Sequence, residues 1–429
     1  MALRRPRAHR ATTRHLAALY PFMGERGLGG RGVLIGHEVY SGAAFAYDPF
    51  ALYAQGLITG PSAIVAGQVG RGKSALIMCY LARLAALGRR AVVVDPKGEY
   101  DPLCRWFGSR AIRLEPGGTV RLNPLEAGAD RGRRLALLAA ILAAGLGRAL
   151  GPEEHAALDL ALGEGATAPA TLPEVQARLL APEAGAAAAV AASAESLARD
   201  GRALALELRR LCAGDLRGMF DGPTSPGVNL EAPVVVLDLS ALHGSPALGI
   251  LMTCVAAWLE ARLERDDGVR RIVVLDEGWA VLSDVATAAF VQRSWKLARS
   301  YGVQNVLVVH RLSDLAAAGG AGSRQVRIAE GLLADSETRV ILGQGPADLA
   351  QVRQLVGLTH TEAEHVAQLP RGVALWKVGG RSFLVENRLS GPERALVDTD
   401  QRMRPAATRG SAPEPHEPLD SLDPDGGVL

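Results

Sequence analysis

The chain has 429 residues, 48% of them hydrophobic, enough for one large core or two to three smaller ones. A formal net charge of +2 excludes a protein-wide basic field for nucleic acid and an acidic, disordered composition. Only four of the 47 basic residues are lysines (Lys73, Lys97, Lys296 and Lys377), so a lysine inside a motif carries weight.

The first residues, MALRRPRAHRATTRH, are basic but lead into no long apolar region, which argues against a secretory signal. Residues 1–48 read as a basic segment that ends in a hairpin lying within 32–50. The apolar run Ser62–Ala66 predicts a strand, and a helix starts at Lys73. RRAVVVDPKGEY (89–100) predicts a second buried strand ending in a Pro/Gly turn, and 111–126 a third strand with a loop. Together, 49–127 form the first part of a core.

Composition then shifts. Residues 128–222 are rich in Ala, Leu, Arg and Glu, without a continuous β-branched run, and predict a helical insertion. Its Ala-rich stretch 183–196 fits a helix or a flexible linker equally. The core resumes over 223–403, with strands within 232–242, 270–282, 303–315 and 337–344, helices at 246–265, 286–301 and 346–357, and a Gly-Gly hairpin at 372–387. Residues 404–429 are rich in Pro, Asp, Glu and Gly and read as a disordered acidic tail. This alternation predicts an α/β fold with a mostly parallel sheet covered by helices on both faces. The apolar stretches Leu135–Leu146 and 251–264 are too short to span a bilayer, so no integral membrane segment is expected. Cys79, Cys104, Cys212 and Cys254 are widely spaced and form no CxxC pair, which predicts reduced structural thiols in a cytoplasmic protein.

The stretch Gly67-Gln68-Val69-Gly70-Arg71-Gly72-Lys73-Ser74, followed by Ala75, matches G-x-x-x-x-G-K-[ST] between an apolar strand and a helix. Glycines let backbone N–H groups approach phosphates. Lys73 would reach the β- and γ-phosphates, and the Ser74 hydroxyl would bind Mg²⁺. A second carboxylate is needed for the metal, and IVVLDE supplies Asp276 at the end of a strand. Glu277 directly after it suits the polarisation of an attacking water. Asp238, ending VVVLD, is a rival without the glutamate. ATP and Mg²⁺ are the expected ligands.

GQVGRGKS, VVVDPKGEY, RLNPL, IVVLDEGWAVL, KLARSYG and VVHRLSDL, in this order, resemble the motor domain of TraC-like (VirB-class) type IV secretion and conjugative-transfer ATPases of the HerA–FtsK superfamily, over roughly residues 15–390. The resemblance implies a RecA-like P-loop core with an inserted helical domain. It implies ATP hydrolysis at the interfaces of a homo-oligomeric ring, usually a hexamer, together with partners in the secretion or conjugation machinery and DNA as a candidate cargo. It also implies that His310 stands at the sensor position usually held by Gln. Arg299 is then the arginine lent to a neighbour's site, with Arg339 as the alternative, and Asp95, Lys97 and Glu99 line the nucleotide site or pore. The large N-terminal docking domain of relatives is not expected in the 66 residues before the P-loop, and no C-terminal winged-helix module is evident. The implied location is cytoplasmic or peripheral at the inner face of the cell membrane. The alternatives are a HerA/FtsK-like duplex-DNA translocase and an ATP-binding scaffold without turnover.

Overall fold

The computed structural model describes residues 27–398, apart from 127–129, 164–168, 215, 279–284, 311–322 and all of 244–267 except 245, 248, 251, 252, 255, 258, 259. The basic segment before residue 27, the acidic tail and Cys254 therefore lie outside the described residues. So do residues 279–282 of the IVVLDEGWAVL motif and 311–315 of the VVHRLSDL motif.

Eleven strands form one sheet: β1 Val33–Glu38, β2 Ala44–Tyr47, β3 Ala63–Ala66, β4 Arg90–Asp95, β5 Ile112–Arg113, β6 Val234–Asp238, β7 Arg271–Leu275, β8 Val303–Val309, β9 Thr338–Leu342, β10 Val373–Val378 and β11 Arg381–Asn387. Their order is β2-β1-β11-β10-β9-β3-β8-β7-β4-β6-β5. From β9 to β5 every pairing is parallel. From β9 to β2 every pairing is antiparallel. The hairpin β1–β2 closes one edge. The strand expected within 111–126 is only the two-residue β5 at the other edge.

Strand chemistry explains the double-sided core. A β-strand alternates its side chains between faces, and strands buried on both faces read as continuous Val/Ile/Leu runs. Val65 of β3, Val93 of β4, Val236 of β6, Val274 of β7 and Val308 of β8 join one core, with Leu76, Ile77, Leu81 and Leu84 of the helix Lys73–Ala85. Their neighbours Ile64, Val94, Leu237, Leu275 and Leu307 join the other. That second core also contains Leu138, Ile141, Leu158, Val175, Leu204 and Leu208 from the segment between β5 and β6. This segment holds the helices Arg131–Leu146, Pro152–Leu162, Leu172–Leu180, Ala184–Ala189 and Ala194–Ala213, and no strand among its described residues. Its apolar faces thus join the same core as one face of the sheet, with the helix Arg131–Leu146 packed against the helix Val285–Leu297. The Ala-rich stretch is helical over Ala184–Ala189, and Ser193 caps the next helix by accepting from Ser196 N–H at 3.1 Å.

The described positions of 246–265 are helical and buried: Leu248, Leu251, Met252, Val255, Trp258 and Leu259 follow the spacing of one helix face. Cys79, Cys104 and Cys212 are buried, unbridged thiols. Among the described residues no helix is long and apolar enough to cross a membrane.

Candidate nucleotide site

The parallel half of the sheet ends its strands on one edge. There β3 runs into the Gly67–Gly72 loop, β4 ends at Asp95, β7 is followed by Asp276, and β8 by His310. Strand β8 lies between β3 and β7, so His310 emerges between the loop and the Asp276–Glu277 pair.

The loop is fixed by its neighbours. Gln68 N–H donates to Gly343 O at 3.2 Å, Arg71 N–H to Gln68 O at 3.3 Å, and Gly372 N–H to Arg71 O at 3.2 Å. Gly67 N–H reaches Val309 O at 3.4 Å. Val69 is 77% exposed at the loop tip. Gly72 is the N-cap of the helix Lys73–Ala85 with φ +100°, a left-handed conformation that other residues adopt only under strain. No side chain caps this helix, whose N-terminus and first-turn N–H groups therefore face the loop as an anion site. Ala75 lies half-buried in that first turn.

Lys73 is buried, and its ammonium donates to Gly67 O at 2.5 Å and Gln68 O at 3.1 Å. Burial pulls it down to about 8, against the attraction of Asp276 and Glu277. Arg71 points away from the loop interior and donates to Leu369 O at 3.3 Å. Ser74 Oγ donates to Glu99 Oε2 at 2.8 Å.

Asp276 is buried and accepts Glu277 N–H on Oδ1 at 2.9 Å. Burial pushes its carboxyl up to about 7. Glu277 is 2% exposed with φ +51°, one of two described non-glycine residues with positive φ; Ala191 is the other. Such a conformation costs about 1–2 kcal/mol and clusters at functional sites. Gly278 has no room for a side chain, because a Cβ there would meet Leu307 of β8. Three groups meet at one point: Oε1 of Glu277 is ion-paired with Lys97 Nζ and lies 2.5 Å from His310 Nε2, which is itself 2.5 Å from Lys97 Nζ, so that nitrogen either donates to the glutamate or accepts from the ammonium, not both. The imidazole that the resemblance places at the sensor position thus touches the glutamate itself.

The other residues of the DPKGEY turn divide in role. Asp95 is fully buried and accepts backbone N–H groups of Lys97 at 3.1 Å, Gly98 at 2.8 Å and Tyr100 at 2.9 Å. Its carboxylate is the staple of the turn, and burial pushes it up to about 6 against those donors. It does not line the site; it aims Lys97 and Glu99 into it. Asp238 stands beside Asp95 in the β4–β6 register and caps the next turn by accepting Ser240 N–H at 2.9 Å. It is one strand further from the loop than β4 and serves a local turn.

The two arginine candidates separate. Arg339 donates to Leu333 O at 2.9 Å and Val356 O at 3.3 Å, binding the carbonyl ends of two helices, and burial lowers its pKa. It is committed internally. Arg299 is exposed and donates to Thr59 O at 3.2 Å. It precedes β8, whereas His310 follows it; the seven residues of β8 separate the two by roughly 20 Å. Arg299 takes no part in the site of its own chain.

The donor set fits a magnesium nucleotide. A hydroxyl at the first helical turn and a strand-end carboxylate are hard oxygen ligands, so Ser74 and Asp276 are the residues that would hold Mg²⁺. The glycine cradle and the buried Lys73 fit the phosphates.

No protein-family model matches the chain, and no curated protein matches it. Solved structures do. VirB4 of Thermoanaerobacter pseudethanolicus superposes with a TM-score of 0.69 over 86% of this chain and 100% of that one, at 22% identity. The fold is that of VirB4. The plasmid coupling protein TrwB in complex with the non-hydrolysable ATP analogue ADPNP gives 0.52 over 77% of this chain and 86% of TrwB, at 16% identity. Its complex with ADP and Mg²⁺ gives 0.51 over 76% and 85%, at 18%. These likenesses establish the mostly parallel, helix-covered P-loop architecture that the sequence predicts.

Two site features escaped the sequence reading. The contact of Lys97 with Glu277 needs β4 to lie next to β7, and that of Glu99 with Ser74 needs the helix Lys73–Ala85 to lie against β4; no local pattern encodes either. The Asp-Pro-x-Gly turn itself was the available signal, since Asp at a strand end bonds its own backbone two residues on.

Proposed function

We propose that this chain is an ATP-hydrolysing motor of conjugative or type IV secretion-like translocation, working as a homo-oligomeric ring. The observation that supports it most is Glu277: a buried, left-handed glutamate after a metal-binding aspartate, gripped by His310 from the strand between it and the P-loop. The fold shared with VirB4 and TrwB supports the motor class. That TrwB is seen with ADPNP and with ADP and Mg²⁺ supports ATP and Mg²⁺ as ligands.

In this reading the first-turn N–H groups and Lys73 bind and orient the phosphates. Mg²⁺ on Ser74 and Asp276 supplies charge neutralisation. Glu277 accepts the proton of the attacking water, and His310 fixes the carboxylate that does so. Arg299, exposed and remote from its own P-loop, is the group a ring would lend to the neighbouring site, where a trans arginine stabilises transition-state charge. The ring is hexameric by resemblance, DNA is a candidate cargo, and the working place is the cytoplasmic face of the secretion machinery.

The test is ATP turnover with Mg²⁺ for the wild type, Lys73→Ala and Glu277→Gln. Loss of nucleotide binding in the first variant, and binding with turnover lowered at least 100-fold in the second, support the proposal. Normal turnover in both would refute it.

A further inference from the structure

Oε1 of Glu277 is over-subscribed. Lys97 Nζ and His310 Nε2 both address it, and the two nitrogens are 2.5 Å apart. With the imidazole protonated at Nε2, the two donors take both lone pairs of Oε1, leave none for water and stand against each other at 2.5 Å. That oxygen becomes an acceptor for water only when one donor withdraws.

The donors differ in freedom. His310 stands at the end of the buried strand β8 on a short side chain with two torsions. Lys97 has its backbone stapled by Asp95, but its ammonium sits on a flexible four-carbon stem whose side chain is 25% exposed. Lys97 also lies close enough to Lys73 to lower its pKa. Two ammonium groups share one cleft only with anions between them. Here Asp276, Glu277 and Glu99 supply that charge, and a terminal phosphate at the P-loop would compete with Glu277 for Lys97.

We propose that Lys97 is a positioning residue responsive to the γ-phosphate. Its ammonium passes from Glu277 to the terminal phosphate of ATP, which opens Oε1 to water while His310 keeps the carboxylate in place. ADP, lacking that phosphate, leaves Lys97 on Glu277. The inference rests on the ATPase reading and adds a cation that couples the presence of the third phosphate to the readiness of the base.

The test is equilibrium binding of ADP and of a non-hydrolysable ATP analogue, both with Mg²⁺, to the full chain and to Lys97→Met. The expected result is an analogue affinity at least tenfold weaker, with ADP affinity unchanged within twofold. Lys97→Gln, which can still donate to Glu277 but brings no charge to a phosphate, should show the same selective loss. Lys97→Arg should recover part of it. A merely structural lysine would shift both nucleotides together, or neither, and either result would overturn the inference while leaving the ATPase reading intact. A wild-type chain that binds neither nucleotide would overturn both.

Discussion

Gly278 links the core to the chemistry, and substituting it tests that link. A Cβ at this position would press on Cδ1 of Leu307 and lie 2.7 Å from its Cγ. Leu307 is fully buried in the middle of the parallel sheet, so it has little room to yield. Overpacking of this kind costs about 1–3 kcal/mol. Leu307→Ala alone should cost about 2–5 kcal/mol, from lost burial and the remaining cavity. In the double variant the new methyl enters that cavity. The combined loss should therefore fall short of the sum by roughly 1–2 kcal/mol, within the usual coupling of contacting residues. Denaturant unfolding followed by circular dichroism measures each term. Gly278→Ala should also slow ATP turnover about tenfold, because Glu277 is the adjacent residue and small misplacements at reacting groups are costly. An unchanged midpoint for Gly278→Ala, or strict additivity in the double variant, would refute the packing argument.

Three further outcomes follow from the site. His310→Ala removes a donor from Glu277 and should lower the ATP turnover number about 10²-fold, whereas His310→Gln keeps a donor and should stay within about tenfold of wild type. Asp95 has a folded value of about 6, above its value of ~4 in an unfolded chain, so the folded protein binds the extra proton between those limits. Stability contributed there is present at low pH and lost as pH rises from about 4 to 6, by up to about 3 kcal/mol. Denaturant midpoints across this range should fall less steeply in Asp95→Asn than in the wild type, the remaining decline coming from Asp276, whose carboxyl burial also raises; equal slopes would contradict it. Finally, Arg299→Ala and Glu277→Gln should each be inactive alone, yet regain measurable turnover when mixed, because one interface in a mixed ring carries both native residues. Mixtures as inactive as their parts would remove Arg299 from the neighbour's site.

The P-loop and the Asp-Glu pair were legible in the sequence because each is a local pattern set by strand-end geometry. Gly72 must be left-handed, and Asp276 must follow a buried Ile-Val-Val-Leu run. The parallel strands were legible for the same reason: valine runs such as Val92–Val94 mark burial on both faces. The antiparallel half of the sheet was only partly readable. Two hairpins are visible in the sequence, but their mutual pairing through β1 and β11 is a long-range choice. The helices Arg324–Ala334 and His360–Gln368 carry charge-rich sequences, and Ser323 and Thr359 cap their starts. The sequence put Arg299, in KLARSYG, ahead of Arg339 as the lent arginine. The structure separates them by what lies above each: two helix ends bind Arg339, whereas Arg299 remains exposed.

The central claim is that Glu277 is the base of an ATP-hydrolysing site that is completed between subunits. The most direct measurement is specific ATPase activity of the purified chain against its own concentration, with Glu277→Gln as control. Activity should rise more steeply than the amount of protein and be absent from the control. ATP binding without turnover at every concentration, or turnover that survives in Glu277→Gln, would contradict it.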